Sequence, residues 1–256
     1  MSLLQDKVVV VPGIGPGLGQ AIALRAAAQG ADLVLAARTA SKLEEVAAQV
    51  DALGRKAICV PTDITTDDGN LANAATEAFG RIDVLVNNAF AMPTMRDLSK
   101  VDVDAVRQSF ETNVIGTLRL TRSVAAAMKQ GGAIVMVNSA VLRHSRRTFG
   151  TYKMAKASLL AMAQNLASEL GGQGIRVNSV APSYIWNDQL RTYFEYLGAK
   201  RGITGQEVYD ELAATTDLGR LAEPDEIADT IVFLASDMAR AVTGQCLDVN
   251  CGEFHR

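Results

Sequence analysis

The chain has 256 residues, 48% of them apolar, and a net charge of −3. That is ample for a buried core, and the near-balanced charge supplies no broad basic surface, so nucleic acid is disfavoured as a main partner. Cys59, Cys246 and Cys251 lack metal-ligand spacing, no basic leader opens the chain, and no run nears the roughly 18 apolar residues of a membrane span; a soluble protein of a reducing compartment, most simply the cytoplasm, is expected.

Short apolar runs then alternate with longer helical patterns. Lys7–Val11 (KVVVV) reads as a strand and Gly17–Gln29 as a helix. Asp32–Ala37 is a second strand, followed by an amphipathic helix over Ser41–Leu53 with Leu43, Val46, Ala47 and Val50 on one stripe. Further strands are expected at Lys56–Pro61, Ile82–Asn88, Ala133–Ser139, Ile175–Ala181 and Gln245–Asn250. Helices are expected at Asp67–Phe79, Asp102–Met128, Phe149–Leu170 and Asp225–Ala235. Most strands are continuously apolar rather than alternating, as strands covered on both faces are. The reading is an α/β fold, a single doubly wound Rossmann-type domain over 1–256 with a seven-stranded parallel sheet and helices on both faces. Cys59 and Cys246 fall in strands, where buried reduced thiols are expected. One stretch, 183–218, carries no strand pattern and reads as two short helices joined around GAKRGITG. An insertion of that length after a strand suits a substrate-binding lid.

The segment PGIGPGLG (Pro12–Gly19) sits between the first strand and the first helix. Gly13, Gly17 and Gly19 allow a tight turn and close approach to a pyrophosphate resting at the helix N-terminus, with Gly15 and Leu18 in the same loop; Pro16 stiffens it. An acid ending the second strand would hold the ribose 2′-hydroxyl of NAD. Here that strand ends LAARTAS, with Arg38, Thr39 and Ser41 and no acid. A guanidinium there suits a 2′-phosphate, so NADP(H) is favoured over NAD(H).

Further along, TYKMAKASLLAMAQNLASEL places Tyr152 four residues before Lys156, and Ser139 ends a strand thirteen residues before Tyr152. Asn113 lies in FETNVIGT, Asn87–Ala89 reads NNA with Phe90 after it, and Thr62–Ile64 reads TDI. In these motifs, and over nearly its whole length, the chain resembles the short-chain dehydrogenase/reductase family. The resemblance implies a catalytic group of Asn113, Ser139, Tyr152 and Lys156. It also implies cofactor contacts at Asp63, Ile64, Asn88, Ala89, Tyr152, Lys156, Pro182 and Ile185. The chain departs from the family pattern at Pro12, at Phe90 and Ser183 (both glycine in the family), at Asn187, and in VNCG (Val249–Gly252).

Residues four apart share a helix face, so Tyr152 and Lys156 can point together into a cleft. A nearby ammonium, helped by the positive nicotinamide ring, favours the phenolate and lowers the tyrosine pKa from its ordinary value of about 10. Tyr152 can then donate a proton to a carbonyl oxygen as hydride arrives, or accept one in reverse. By resemblance, Lys156 would hold the nicotinamide ribose, Ser139 the substrate oxygen, and Asn113 a water linking Lys156 to solvent.

The implied activity is NADP(H)-dependent interconversion of a hydrophobic secondary alcohol and a ketone. The same reaction with NAD(H), and a non-catalytic NADP(H)-binding regulator, remain as alternatives. A divergent enoyl reductase ranks below these, because its Tyr and Lys are spaced more widely and position 159 is Leu. Phe90, Leu142, Phe149, Trp186 and Tyr193 are candidates for the substrate pocket. Arg143, His144, Arg146 and Arg147 form a basic cluster, read as a solvated loop or subunit contact ahead of an anion site. No metal site is expected. A homotetramer is implied by the family, and the small-residue stretches SVAAAM and KASLLAMA permit close helix packing.

Overall fold

A computed structural model of the chain describes residues 2–67, 69–129 and 131–255. The first half contains β1 (Val8–Pro12), α1 (Leu18–Ala28), β2 (Asp32–Ala37), α2 (Ala40–Ala52), β3 (Ala57–Pro61), α3 (Asn70–Phe79) and β4 (Val84–Asn87). The second half contains α4 (Val103–Phe110), α5 (Thr117–Ala127), β5 (Gly132–Val137), α6 (Gly150–Leu170), β6 (Ile175–Pro182), α7 (Asp188–Arg201), α8 (Gly205–Ala213), α9 (Pro224–Ala235) and β7 (Cys246–Val249). The strands form one seven-stranded sheet in the order β3-β2-β1-β4-β5-β6-β7, every neighbour parallel. This is the expected Rossmann-type single domain.

Successive strand residues point to opposite faces, and both faces are buried here. Val9, Val11, Leu33 and Leu35 pack on one face with the buried residues of α1, α2 and α9. Val8, Val10, Val34 and Ala36 pack on the other with α3, α5 and α6. Two cores therefore sandwich the sheet, which is why its strands are mostly apolar on both faces. Strand order reverses between β1 and β4, and the crevice outside the carboxyl ends of the strands at such a reversal is where ligands bind in open α/β sheets.

Three local expectations are corrected. The helix expected over Asp102–Met128 is broken by a π-helical turn at Glu111–Gly116. Asn113 lies in that turn with its side chain turned to a neighbouring loop, and such turns insert into helices at functional sites. Second, α7 and α8 are joined within GAKRGITG as expected, but α7 runs through Gly198 to Arg201, so the turn is confined to Gly202–Thr204. Glycine is needed at 202 because φ is 72° there. Third, Cys59 and Cys246 are half-buried rather than buried. The 183–218 segment has a small core, with Phe194 and Val208 buried against Leu221 just beyond it and Trp186 and Tyr209 packed on them. An isolated bridge from Ile185 to Ala222 closes its base. No helix among the described residues is long and apolar enough to cross a membrane.

Candidate active site

A cleft of about 940 Å3 opens at the strand-order reversal, lined by the glycine loop, the ends of β2 and β3 and the segment after β4. Its shape follows from the glycines. At Gly13, φ is 90° and a Cβ would lie 2.6 Å from the Ala89 backbone. At Gly19 a Cβ would meet the Gly13 carbonyl at 2.4 Å, so α1 can approach β1 this closely only without a side chain there. The Asn88 amide donates to the Gly13 carbonyl at 2.8 Å and fastens the loop to β4. Gly15 faces open space, a cradle that any side chain would begin to fill, and Leu18 and Gly19 in the first turn of α1 line the cleft. That helix has no acidic residue in its first turn, leaving its N-terminal amides and dipole for an anion. These residues fit the pyrophosphate of a dinucleotide.

Arg38 and Thr39 are exposed at the rim, as is Lys42 one helical turn on. Asp63 accepts from the Thr65 amide and hydroxyl at 2.9 and 2.7 Å, which holds its carboxyl below the ordinary value, and Arg38 nearby acts in the same direction. Ile64 and Ala89 also line the cleft; Gly17, Tyr152, Lys156, Pro182 and Ile185 do not, and the Tyr152–Lys156 pair adjoins it through Phe90. Pro182 is buried at the end of β6 beside Val249. Lys42 and Thr65 were not among the sequence candidates. A lone lysine in the first turn of an amphipathic helix carries no mark of its own.

Ser139 follows β5, and its hydroxyl accepts from the Val141 amide at 3.2 Å. A hydrogen bond from Ser139 to the Tyr152 oxygen favours the phenolate. Tyr152 and Lys156 share a face of α6, with the Lys156 Nζ 6.0 Å from the Tyr152 ring centroid. Lys156 is only 4% exposed, and its amine donates to the Val137 carbonyl at 2.7 Å. Burial drives the two groups in opposite directions. It pushes the Tyr152 phenol up, outweighing the Ser139 hydrogen bond, and pulls the Lys156 amine down to about 7. Desolvation dominates at both groups.

Asn113 is fully buried and is brought to the same region by the π turn. Its side chain accepts from the Ala91 amide and donates to the Ala91 carbonyl, both at 2.8 Å, and also donates to Ser109 at 3.2 Å. It clamps the loop after β4, so a water relay would have to use its remaining acceptor capacity.

Of the substrate candidates, Phe90 reaches the Tyr152–Lys156 pair, its ring 5.3 Å from that of Tyr152. Phe149 meets His144 edge-on at 5.8 Å, and Leu142 is half-buried in the turn after Ser139. Trp186 packs 4.5 Å from Tyr209 within the insertion's own core, and Tyr193 is half exposed on α7. The basic cluster is a solvated loop at Arg146 and Arg147, both exposed, but not at Arg143. Arg143 is buried against Asp248 at 2.9 Å, Arg146 pairs with Glu253 at 3.2 Å, and Arg147 pairs with Asp97. Glu253 also accepts from Ser183, an arrangement with no local sequence signal because its members lie far apart in the chain.

Residues 13–253 match a family model described as enoyl-(acyl carrier protein) reductase. The chain is 38% identical to L-rhamnose 1-dehydrogenase (NAD(P)(+)) of Azotobacter vinelandii, covering 98% of both proteins. It is 31% identical to 7alpha-hydroxysteroid dehydrogenase of Escherichia coli, covering 97% of this chain and 94% of that one. Among solved structures, carveol dehydrogenase from Mycobacterium avium in complex with NAD superposes with a TM-score of 0.90 at 25% identity, covering 99% of each chain. A nucleotide cleft at the sheet reversal, with a Ser–Tyr–Lys group beside it, defines the class, and the chain belongs to the short-chain dehydrogenase/reductase family. It is an oxidoreductase of that family, whose cofactor is NAD(P).

Proposed function

We propose that the protein is an NADP(H)-dependent oxidoreductase that interconverts a hydrophobic secondary alcohol and a ketone. The observation that carries this reading is the grouping of Ser139, Tyr152 and a buried Lys156 beside a cleft whose outer rim holds Arg38 and Lys42. The glycine loop and the first turn of α1 would hold the pyrophosphate, Asp63 and Ile64 the adenine side, and Arg38 with Lys42 a 2′-phosphate. When bound, the nicotinamide supplies or accepts the hydride. Ser139 orients the substrate oxygen. Tyr152 gives that oxygen its proton during reduction and takes it back during oxidation. Lys156 favours the phenolate when charged, and its pKa near 7 lets it gain or lose a proton at neutral pH.

The 183–218 insertion is read as the lid over the substrate. The steroid and carveol dehydrogenases among the similar proteins support a hydrophobic alcohol. A second reading keeps the chemistry and changes the cofactor to NAD(H). It is favoured by the NAD in the carveol dehydrogenase structure. We also read a homotetramer built through α4–α5, α6 and β7; a solution mass of one or two chains would overturn that assignment.

Oxidation of NADPH and of NADH against a panel of cyclic and aliphatic ketones tests the cofactor assignment. NADPH should be preferred, and Arg38→Ala with Lys42→Ala should lower that preference by about tenfold or more, the value of one to two charge-assisted phosphate contacts. A preference for NADH, unchanged in the double variant, would replace the first reading with the second.

A further inference from the structure

Phe90 stands where the family resemblance places a glycine, and its ring touches both halves of the site. It lines the nucleotide cleft, packs 5.3 Å from the Tyr152 ring, and lies 4.1 Å from the Lys156 amine, measured to the ring centroid. The amine already spends one N–H on the Val137 carbonyl at 2.7 Å. On the ring's side it is closed off. A sugar hydroxyl bonded to the amine needs its oxygen about 2.8 Å from the nitrogen, and an oxygen there would overlap an aromatic face centred 4.1 Å away. A cation over an aromatic face in a dry site is a favourable contact, so the ring has a reason to stay. Arg38 and Asp63, just beyond β2 and β3, and Lys42 in the first turn of α2 are not covered in this way.

We propose that Phe90 caps the Lys156 amine and has to leave it before that amine can hold the ribose of a dinucleotide, so that this chain binds its cofactor in two steps. The adenosine end docks first, and the capped conformation lowers the apparent affinity by the fraction of molecules in which the ring is away. This rests on reading Lys156 as the residue that holds the cofactor sugar. A glycine at position 90 has no ring to move, so the capping step belongs to this chain's own substitution.

Equilibrium titration and stopped-flow fluorescence of the full chain separate the possibilities. The ligands are NADPH, which reaches Lys156, and adenosine 2′,5′-bisphosphate, which does not; NADH and ADP run beside them in case the chain prefers the unphosphorylated nucleotide. Phe90→Ala should bind the dinucleotide roughly tenfold more tightly while binding the adenosine fragment as the native chain does. The native binding rate should level off with ligand concentration, and that of Phe90→Ala should keep rising. Phe90→Leu keeps the bulk without the aromatic face, so it should lie between the two, and it carries the test if the alanine variant fails to fold. A dinucleotide affinity that falls or stays put in both variants, with the fragment unaffected, would overturn the cap and make the ring a support. If the native chain bound neither dinucleotide nor fragment, the cofactor reading would fail first, and the cap with it.

Discussion

At the scale of single residues, the site is governed by dehydration. Lys156 is held at about 7 against an ordinary 10.5, with burial as the cause. Between those values the unfolded chain binds a proton that the folded chain does not, so this group's contribution to stability rises with pH across that window and is least favourable below it. Replacing Lys156 by Met should therefore stabilise the fold below pH 7. The charge penalty removed is a few kcal/mol at about 1.4 per pKa unit. The Val137 carbonyl loses its donor, which costs about 1–3, so a net gain of about 1–3 kcal/mol is expected. The gain should shrink as pH rises from about 7 to 10.5. Urea unfolding at several pH values measures it; a variant less stable at every pH would show that the amine is better solvated than its 4% exposure indicates.

At the scale of elements, the turn after Ser139 is anchored from the far end of the sheet. Arg143, with 6% of its side chain exposed, donates to Asp248 on β7, 105 residues away. Removing one partner leaves a buried charge unpaired, so Asp248→Ala should cost about 3 kcal/mol in urea unfolding. The double change Arg143→Met with Asp248→Leu should recover most of that loss. Equal losses in the single and double variants would contradict the pairing. Such a contact has no local signature, which is why the arginine cluster read as a loop in the sequence. The π turn at Asn113 was hidden for a related reason. Apolar periodicity locates a helix, but the bonds that break it run from Asn113 to Ala91, in another segment. By contrast, the Tyr152–Lys156 pair and the glycine loop were legible, because each depends on spacing within one element.

At the scale of the molecule, legibility was high for a physical reason. Strands buried on both faces read as near-continuous apolar runs, and helices between them are amphipathic, so the alternation specifies two cores around a parallel sheet. The same logic stops at the insertion. Its small core around Phe194 uses Trp186 and Tyr209, aromatic residues that sequence alone cannot divide between packing and a substrate wall. The fold brings the carboxyl ends of β1, β4, β5 and β6 to one edge. Tyr152 and Lys156 do their proposed work only because that edge places them beside the cleft.

The central claim is that Tyr152 moves a proton to the oxygen of a carbonyl whose carbon receives hydride. NADPH deuterated at the hydride-donating carbon tests it most directly, with the product read by mass spectrometry. The native protein should place deuterium on the carbinol carbon of at least one ketone in the panel. Tyr152→Phe should still bind the nucleotide while transferring label at least ~100-fold more slowly. Transfer at the native rate by Tyr152→Phe, or nucleotide binding with no label transferred to any carbonyl, would contradict it.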